Sequence, residues 1–102
     1  MTEETRRIVK LIKSIPRGKV SSYRDIAFAA GMPNGARQVV RILHSLSGKE
    51  KLPWHRVIRA DGRIGLPPGE GREEQIILLR SEKVEVSDSG RVDMAKYAVQ
   101  YF

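Results

Sequence analysis

The sequence predicts a mainly α domain with short β hairpins, winged-helix-like in outline and centred on a helix-turn-helix. Three observations predict it. Apolar residues recur at helical spacing through residues 3–46. A turn-dense segment, Gly31-Met32-Pro33-Asn34-Gly35, separates two of those runs. Beyond residue 56 the apolar runs shorten, and Asp61-Gly62 reads as a hairpin turn.

In chain order, residues 3–15 form the first expected helix. Ile8, Leu11, Ile12 and Ile15 fall at i, i+3, i+4 and i+7, with Thr2 as N-cap and Glu3-Glu4 at the positive helix end. Pro16 should stop it near Ile15. Ser21 or Ser22 then caps a second helix to about residue 30, which buries Ile26, Ala27 and Ala30. A third helix over residues 36–46 places Ala36, Val39, Val40 and Leu43 inward. Arg37, Arg41 and His44 repeat at i, i+4 and i+7 on another face without an acidic member. Two helices joined by a short glycine-containing turn, the second with a basic face, make the helix-turn-helix pattern.

Residues 47–51 read as a solvated loop. Residues 57–59 and 63–65 flank the Asp61-Gly62 turn as a hairpin, and Leu66-Pro67-Pro68-Gly69 is a stiff, helix-free loop. A fourth helix over residues 70–82 has Ile76, Ile77 and Leu79 to bury. Residues 84–86 and 91–93 suggest a weak second hairpin. The tail with Tyr97, Tyr101 and Phe102 either docks or frays. The whole is one expected domain over 1–102, with its core in 3–86 and a tail over 87–102.

Composition narrows the function. Of 102 residues, 40% are hydrophobic and 30% charged, the balance of a folded soluble chain rather than a disordered one. With no signal-peptide pattern and no membrane-spanning run, the expected location is cytoplasmic, with no membrane partner. The chain has no cysteine, which excludes disulfides, thiolate nucleophiles and zinc fingers together. His44 and His55 have no partner at ligand spacing, so neither a metal nor any other cofactor is expected. The net charge of +7 is uneven: residues 1–63 carry fourteen Lys/Arg against five Asp/Glu, the remainder five against seven. A basic front and a mildly acidic back suit a polyanion on one face.

The stretch Leu52-Pro53-Trp54-His55-Arg56-Val57-Ile58 holds the one tryptophan and one of the two histidines. An isolated tryptophan is more often core than ligand surface, so this stretch alone leaves Trp54 open as core anchor or site floor. Its neighbours add to it. Ile15-Pro16-x-Gly18-Lys19-Val20-x-Ser22-Tyr23-x-Asp25-Ile26-Ala27, then Gly31-x-Pro33-x-x-Ala36-Arg37-x-Val39, then Pro53-Trp54-His55-Arg56-Val57-Ile58 resemble the DNA-binding domain of O6-alkylguanine-DNA alkyltransferases. The resemblance runs from about Ile8 to Glu82 and implies a fold of the alkyltransferase C-terminal type. The separate N-terminal domain of longer members has no counterpart in it.

The family's motif reads Pro-Cys-His-Arg, and its cysteine takes the alkyl group from the base. Trp54 stands at that position here, which is the mark of the alkyltransferase-like branch. The chemistry agrees, since displacement at an alkyl carbon needs a polarizable nucleophile and indole nitrogen is a donor only. The resemblance therefore implies a chain without catalytic residues that binds double-stranded DNA containing O6-alkylguanine. It implies minor-groove entry by the third helix and rotation of the nucleotide by Tyr23. By the same resemblance Arg37 would fill the vacated stack, and Trp54 with the loop of Gly65, Leu66, Pro67 and Pro68 would line a pocket. Ser22, Ala36 and Arg41 are further expected DNA contacts. Pro53, His55, Arg56 and Glu82 are expected to hold the motif. Some alkyltransferase-like relatives have a basic residue in the pocket loop; Leu66-Pro67-Pro68 has none, so mainly apolar and backbone contacts to the base are expected. The resemblance also implies a monomer that works with nucleotide excision repair proteins. Two rival readings stand beside it: a residual transferase or hydrolase using His55 and Glu82, and a general helix-turn-helix regulator reading the major groove.

Overall fold

The computed structural model describes residues 1–101. Helix α1 (Glu3–Lys13) begins as expected: the Thr2 hydroxyl accepts the Thr5 N–H at 3.1 Å, and Glu3 and Glu4 occupy the first turn. It ends at Ser14, short of the expected residue 15, because the proline at 16 disfavours helical geometry at Ile15. Ser22 rather than Ser21 caps α2 (Tyr23–Ala29), accepting the Asp25 N–H at 3.0 Å. Ile26, Ala27 and Ala30 are buried, as their spacing requires.

Helix α3 (Ala36–Glu50) runs a full turn past its expected end. The segment 47–51, expected as a loop, is helical to Glu50. Gly48 costs such a helix about 1 kcal/mol, but half-buried Leu46 and buried Leu52 pack the last turn onto the core. Lys51 closes it in the left-handed region at φ 53°, and the Leu52 N–H bonds the Ser47 carbonyl at 3.0 Å. The inward face is also rotated from the expected one. Val39 and Ile42 are buried, whereas Val40 turns outward.

The sheet corrects the expected hairpins. Strands β1 (Ser21–Ser22) and β2 (Val57–Ile58) pair in parallel, Ser21 opposite Val57 and Ser22 opposite Ile58. The turn at Asp61-Gly62 does form, with the Gly62 N–H on the Arg59 carbonyl at 3.0 Å, yet its arms do not continue as a ladder. Residues 62–64 pair instead with 90–92: Val92 N–H donates to Gly62 O at 2.8 Å and Ile64 N–H to Gly90 O at 2.9 Å. In place of the two expected hairpins, residues 57–58 pair with 21–22 and residues 62–64 with 90–92. Val57 and Ile58 are both fully buried on opposite faces, which a half-solvated hairpin arm does not allow. Gly62 is required where residues 62–64 meet 90–92: its φ is +87°, and a Cβ there would strike the Val92 carbonyl oxygen.

Helix α4 (Arg72–Ser81) starts after Gly71, two residues later than expected. Ile77, expected inside, is 67% exposed, and Gln75 is buried in its stead. The buried face of α4 is therefore Gln75, Leu79 and Glu82, spaced i, i+4 and i+7. A short α5 (Met94–Tyr97), capped by Asp93, was not expected. The tail docks. Val20 N–H donates to Tyr97 O at 3.0 Å, Val99 N–H to Val20 O at 2.8 Å, and the Tyr101 hydroxyl meets Ser21 Oγ at 2.8 Å. Phe102 lies outside the described residues.

Two apolar clusters result. One gathers Ile8, Ile12, Ile26, Val39 and Val57 among α1, α2 and α3. The other gathers Val20, Ile58, Leu79, Val84, Val92 and Tyr97 around α4 and the tail, so the core does not end at residue 86. Adjacent strand residues point to opposite faces, and so Val57 enters the first cluster and Ile58 the second.

Candidate nucleic-acid interface

Trp54, His55 and Arg56 form a single 3-10 turn directly before β2, entered through Pro53 at φ −75°. The turn is held from behind. Gln75 Nε2 donates to the carbonyls of His55 and Val57, each at 3.1 Å. Arg56 Nη1 donates to Ile15 O at 2.9 Å, while its Nε and Nη2 donate to Glu82 at 3.0 and 2.8 Å. His55 Nε2 lies 2.7 Å from the same carboxylate, which also accepts the Gly18 N–H at 3.0 Å. Burial pushes the Glu82 carboxyl up, but the hydrogen bonds from Arg56, His55 and Gly18 outweigh it and hold the pKa down at about 2. Glu82 is thus a buried anion that ties the motif to α4 and to the link after α1. Both its oxygens are occupied.

In front of the turn lies a cavity of about 360 Å³. Trp54 lines it together with Tyr23 at the start of α2, Val40, Leu43, His44 and Ser47 on α3, and Leu66 from the loop. The remaining wall comes from the α4 end: Glu70, Gly71, Glu74 and Gln75. Trp54 stands edge-on to His55, ring centroids 6.2 Å apart at 85°. A shallower groove on the other side of Tyr23 is lined by Arg24, Ala36, Arg59, Ala60 and Asp61. Tyr23 therefore forms the partition between the two hollows. Burial raises its phenol pKa, so it stays neutral and able to donate.

The structure brings some of the expected DNA-contacting residues together and sets others apart. Tyr23, Trp54 and Leu66 meet in the cavity, and Ala36 faces the adjoining groove. Arg37 and Arg41 are exposed on α3. Helical spacing sets Arg37 on the face of Val40 and His44, one turn above the cavity. Ser22 is a correction: its hydroxyl is buried and accepts the α2 cap bond, so no group of it faces a ligand. Gly65, Pro67 and Pro68 are exposed outside the cavity lining, and Leu66 alone represents the loop there. The loop meets the cavity through an apolar side chain, Leu66, and Glu70 and Glu74 add two carboxylates to the same lining.

Sequence reasoning missed Gln75, Glu70, Glu74 and Val40. A signal existed for Gln75: it is a polar residue at the i−4 position from buried Leu79. For Val40 the signal was its excess over a stripe that Val39 and Ile42 already fill. Nothing in the local pattern marks Glu70 or Glu74, which read as an ordinary acidic helix start.

The comparisons agree with this geometry. Over 93 residues the chain is 43% identical to a DNA base-flipping protein of Vibrio parahaemolyticus, covering 91% of this chain and 92% of that one. It is 41% identical to the DNA base-flipping protein of Escherichia coli over 96 residues, 93% of this chain and 73% of that one. The crystal structure of Schizosaccharomyces pombe Atl1 in complex with damaged DNA containing O6-carboxymethylguanine superposes with a TM-score of 0.87 at 32% identity, covering 98% and 97% of the two chains. The family described as 6-O-methylguanine DNA methyltransferase, DNA binding domain, matches residues 3–84. With three ordered motifs, a braced Pro53-Trp54-His55-Arg56 turn and that match, the chain belongs to the family of the 6-O-methylguanine DNA methyltransferase DNA-binding domain.

Proposed function

We propose that this chain is a non-enzymatic sensor of O6-alkylguanine in double-stranded DNA. It binds through the minor groove with α3, rotates the damaged nucleotide outward past Tyr23, and holds the base beside Trp54 without removing the alkyl group. One observation carries the reading: a cavity opens in front of Trp54, the position where the transferase motif has its cysteine. Extruding a base costs a few kcal/mol, and least for one whose pairing is already spoiled, as O6-alkylation does. Tyr23 stands between the cavity and the groove, where the backbone of a rotated nucleotide has to pass. The name DNA base-flipping protein borne by two relatives supports the same motion.

The chain is not a transferase, having no cysteine to receive an alkyl group. Nor does Glu82 serve as a base for water in the hydrolase reading, because Arg56, His55 and Gly18 already occupy it. Emission of the sole tryptophan tests the sensor reading. Matched duplexes with and without O6-methylguanine are titrated, and the damaged one should quench Trp54 far more strongly. Equal quenching would remove the base from this cavity.

A lesion held but not repaired remains in the DNA, so the reading extends to nucleotide excision repair proteins as partners of a monomeric sensor. Incision of an O6-methylguanine duplex by those proteins should rise when this protein is added. Unchanged or slower incision would refute the hand-over.

A further inference from the structure

Glu70 lies in the turn just before Gly71 and Glu74 in the first turn of α4, and both line the cavity. The chain has nineteen Lys and Arg and a net charge of +7, and most of its other carboxylates are occupied. Glu50, Asp25, Glu82, Asp61, Asp88 and Glu85 each have a cationic partner, and Glu73 accepts the Gly69 N–H at 2.8 Å. Among the described residues, neither Glu70 nor Glu74 has an ion pair or a side-chain hydrogen bond. Their nearest basic neighbour in sequence, Arg72, is drawn away: it donates to Ile64 O at 3.2 Å and Ser89 O at 2.8 Å. Among the described residues, His44 is the one basic side chain on the cavity lining.

Two unneutralised carboxylates therefore look across a cavity whose other walls are largely Trp54, Leu43, Val40 and Leu66. Both carboxylates are exposed, so water screens them in part, while the apolar walls beside them limit that screening. An O6 substituent can be neutral (methyl), anionic (carboxymethyl) or cationic (aminoethyl), while the purine ring is unchanged. Charge is then the property by which this wall tells them apart. At roughly 6 Å and an effective permittivity near 40, one carboxylate acting on one unit charge changes affinity about tenfold.

We infer that Glu70 and Glu74 are specificity determinants of the base cavity, admitting O6-alkylguanines with neutral or positively charged substituents and refusing those that carry a carboxylate. The inference rests on the sensor reading above. It sets this chain apart from the S. pombe protein, whose crystal structure is with O6-carboxymethylguanine DNA.

Trp54 emission is titrated with four duplexes of one sequence, bearing guanine, O6-methylguanine, O6-carboxymethylguanine or O6-(2-aminoethyl)guanine. The carboxymethyl duplex should bind at least about tenfold more weakly than the methyl duplex, and the aminoethyl duplex at least as tightly as the methyl one. In the double variant Glu70→Gln, Glu74→Gln the methyl-to-carboxymethyl ratio should fall to about threefold or less. Both side chains are exposed, so the variant keeps the fold. Losing negative charge strengthens binding to any DNA, and for that reason the ratio is the readout. Equal binding of the methyl and carboxymethyl duplexes by the natural chain overturns the inference, as does an unchanged ratio in the variant. A methyl duplex bound no better than the guanine duplex overturns the sensor reading itself, and this inference with it.

Discussion

Replacing Glu82 with alanine should lower the unfolding free energy by about 3–5 kcal/mol, measured by urea denaturation at pH 7. The carboxylate is the common acceptor of Arg56, His55 and the Gly18 N–H. Without it a guanidinium with only 17% side-chain exposure loses its counter-ion. A loss below about 1 kcal/mol would show that water replaces the carboxylate at little cost. The pH dependence has a definite sign. The folded pKa of about 2 lies below the ordinary 4.5, so this stabilisation is complete above pH 4.5 and is lost as pH falls toward 2. The shift is worth roughly 3 kcal/mol. Glu82→Gln should flatten that acid limb of the stability profile while leaving the rest of the curve in shape.

Arg37→Ala should weaken binding to an O6-methylguanine duplex by about tenfold or more, a loss near 1.4 kcal/mol, while affinity for the undamaged duplex changes much less. Arg37 is exposed, without a partner among the described residues, and one turn above Val40 at the cavity mouth. A side chain that only touched a phosphate would lower both affinities alike. Lys49→Ala is the control. It removes one positive charge from the other end of α3, roughly 20 Å along the helix from Ala36, and should reduce affinity modestly and without regard to the lesion. A parallel fall for both duplexes in Arg37→Ala would demote that residue to a general backbone contact.

The existence of α1 to α4 was legible because each buries a face at helical period. The faces of α3 and α4 were nevertheless misassigned at Val40 and Ile77, and α5 was not foreseen. Thr2, Ser22 and Pro16 mark ends through chemistry that acts within one turn. The sheet was not legible, since strands of two residues carry no alternation, and the partner of Val57 stands far earlier in the chain at Ser21. The last turn of α3 was missed because Ser47-Gly48-Lys49 looks like a solvated loop, and only packing by Leu46 and Leu52 overrides that composition. At the site, Trp54, His55, Arg56 and Glu82 were legible only through the family resemblance, since their local pattern fits a core turn equally well. Ser22 was misplaced because a serine that caps a helix and one that meets a phosphate look the same in sequence. Glu70 and Glu74 acquire meaning only from the direction in which α4 leaves Gly71.

Strand β2 is two residues long, yet Val57 is committed to one apolar cluster and Ile58 to the other. The halves consequently have no seam along which one can melt while the other stays native. Trp54 sits immediately upstream of that rivet, so order at the cavity and integrity of the whole chain rise and fall together. Slack introduced in the distant docked tail, through Val20 and Tyr97, would reach the tryptophan as lost preorganisation. Conversely, a base seated against Trp54 would brace the entire molecule against unfolding.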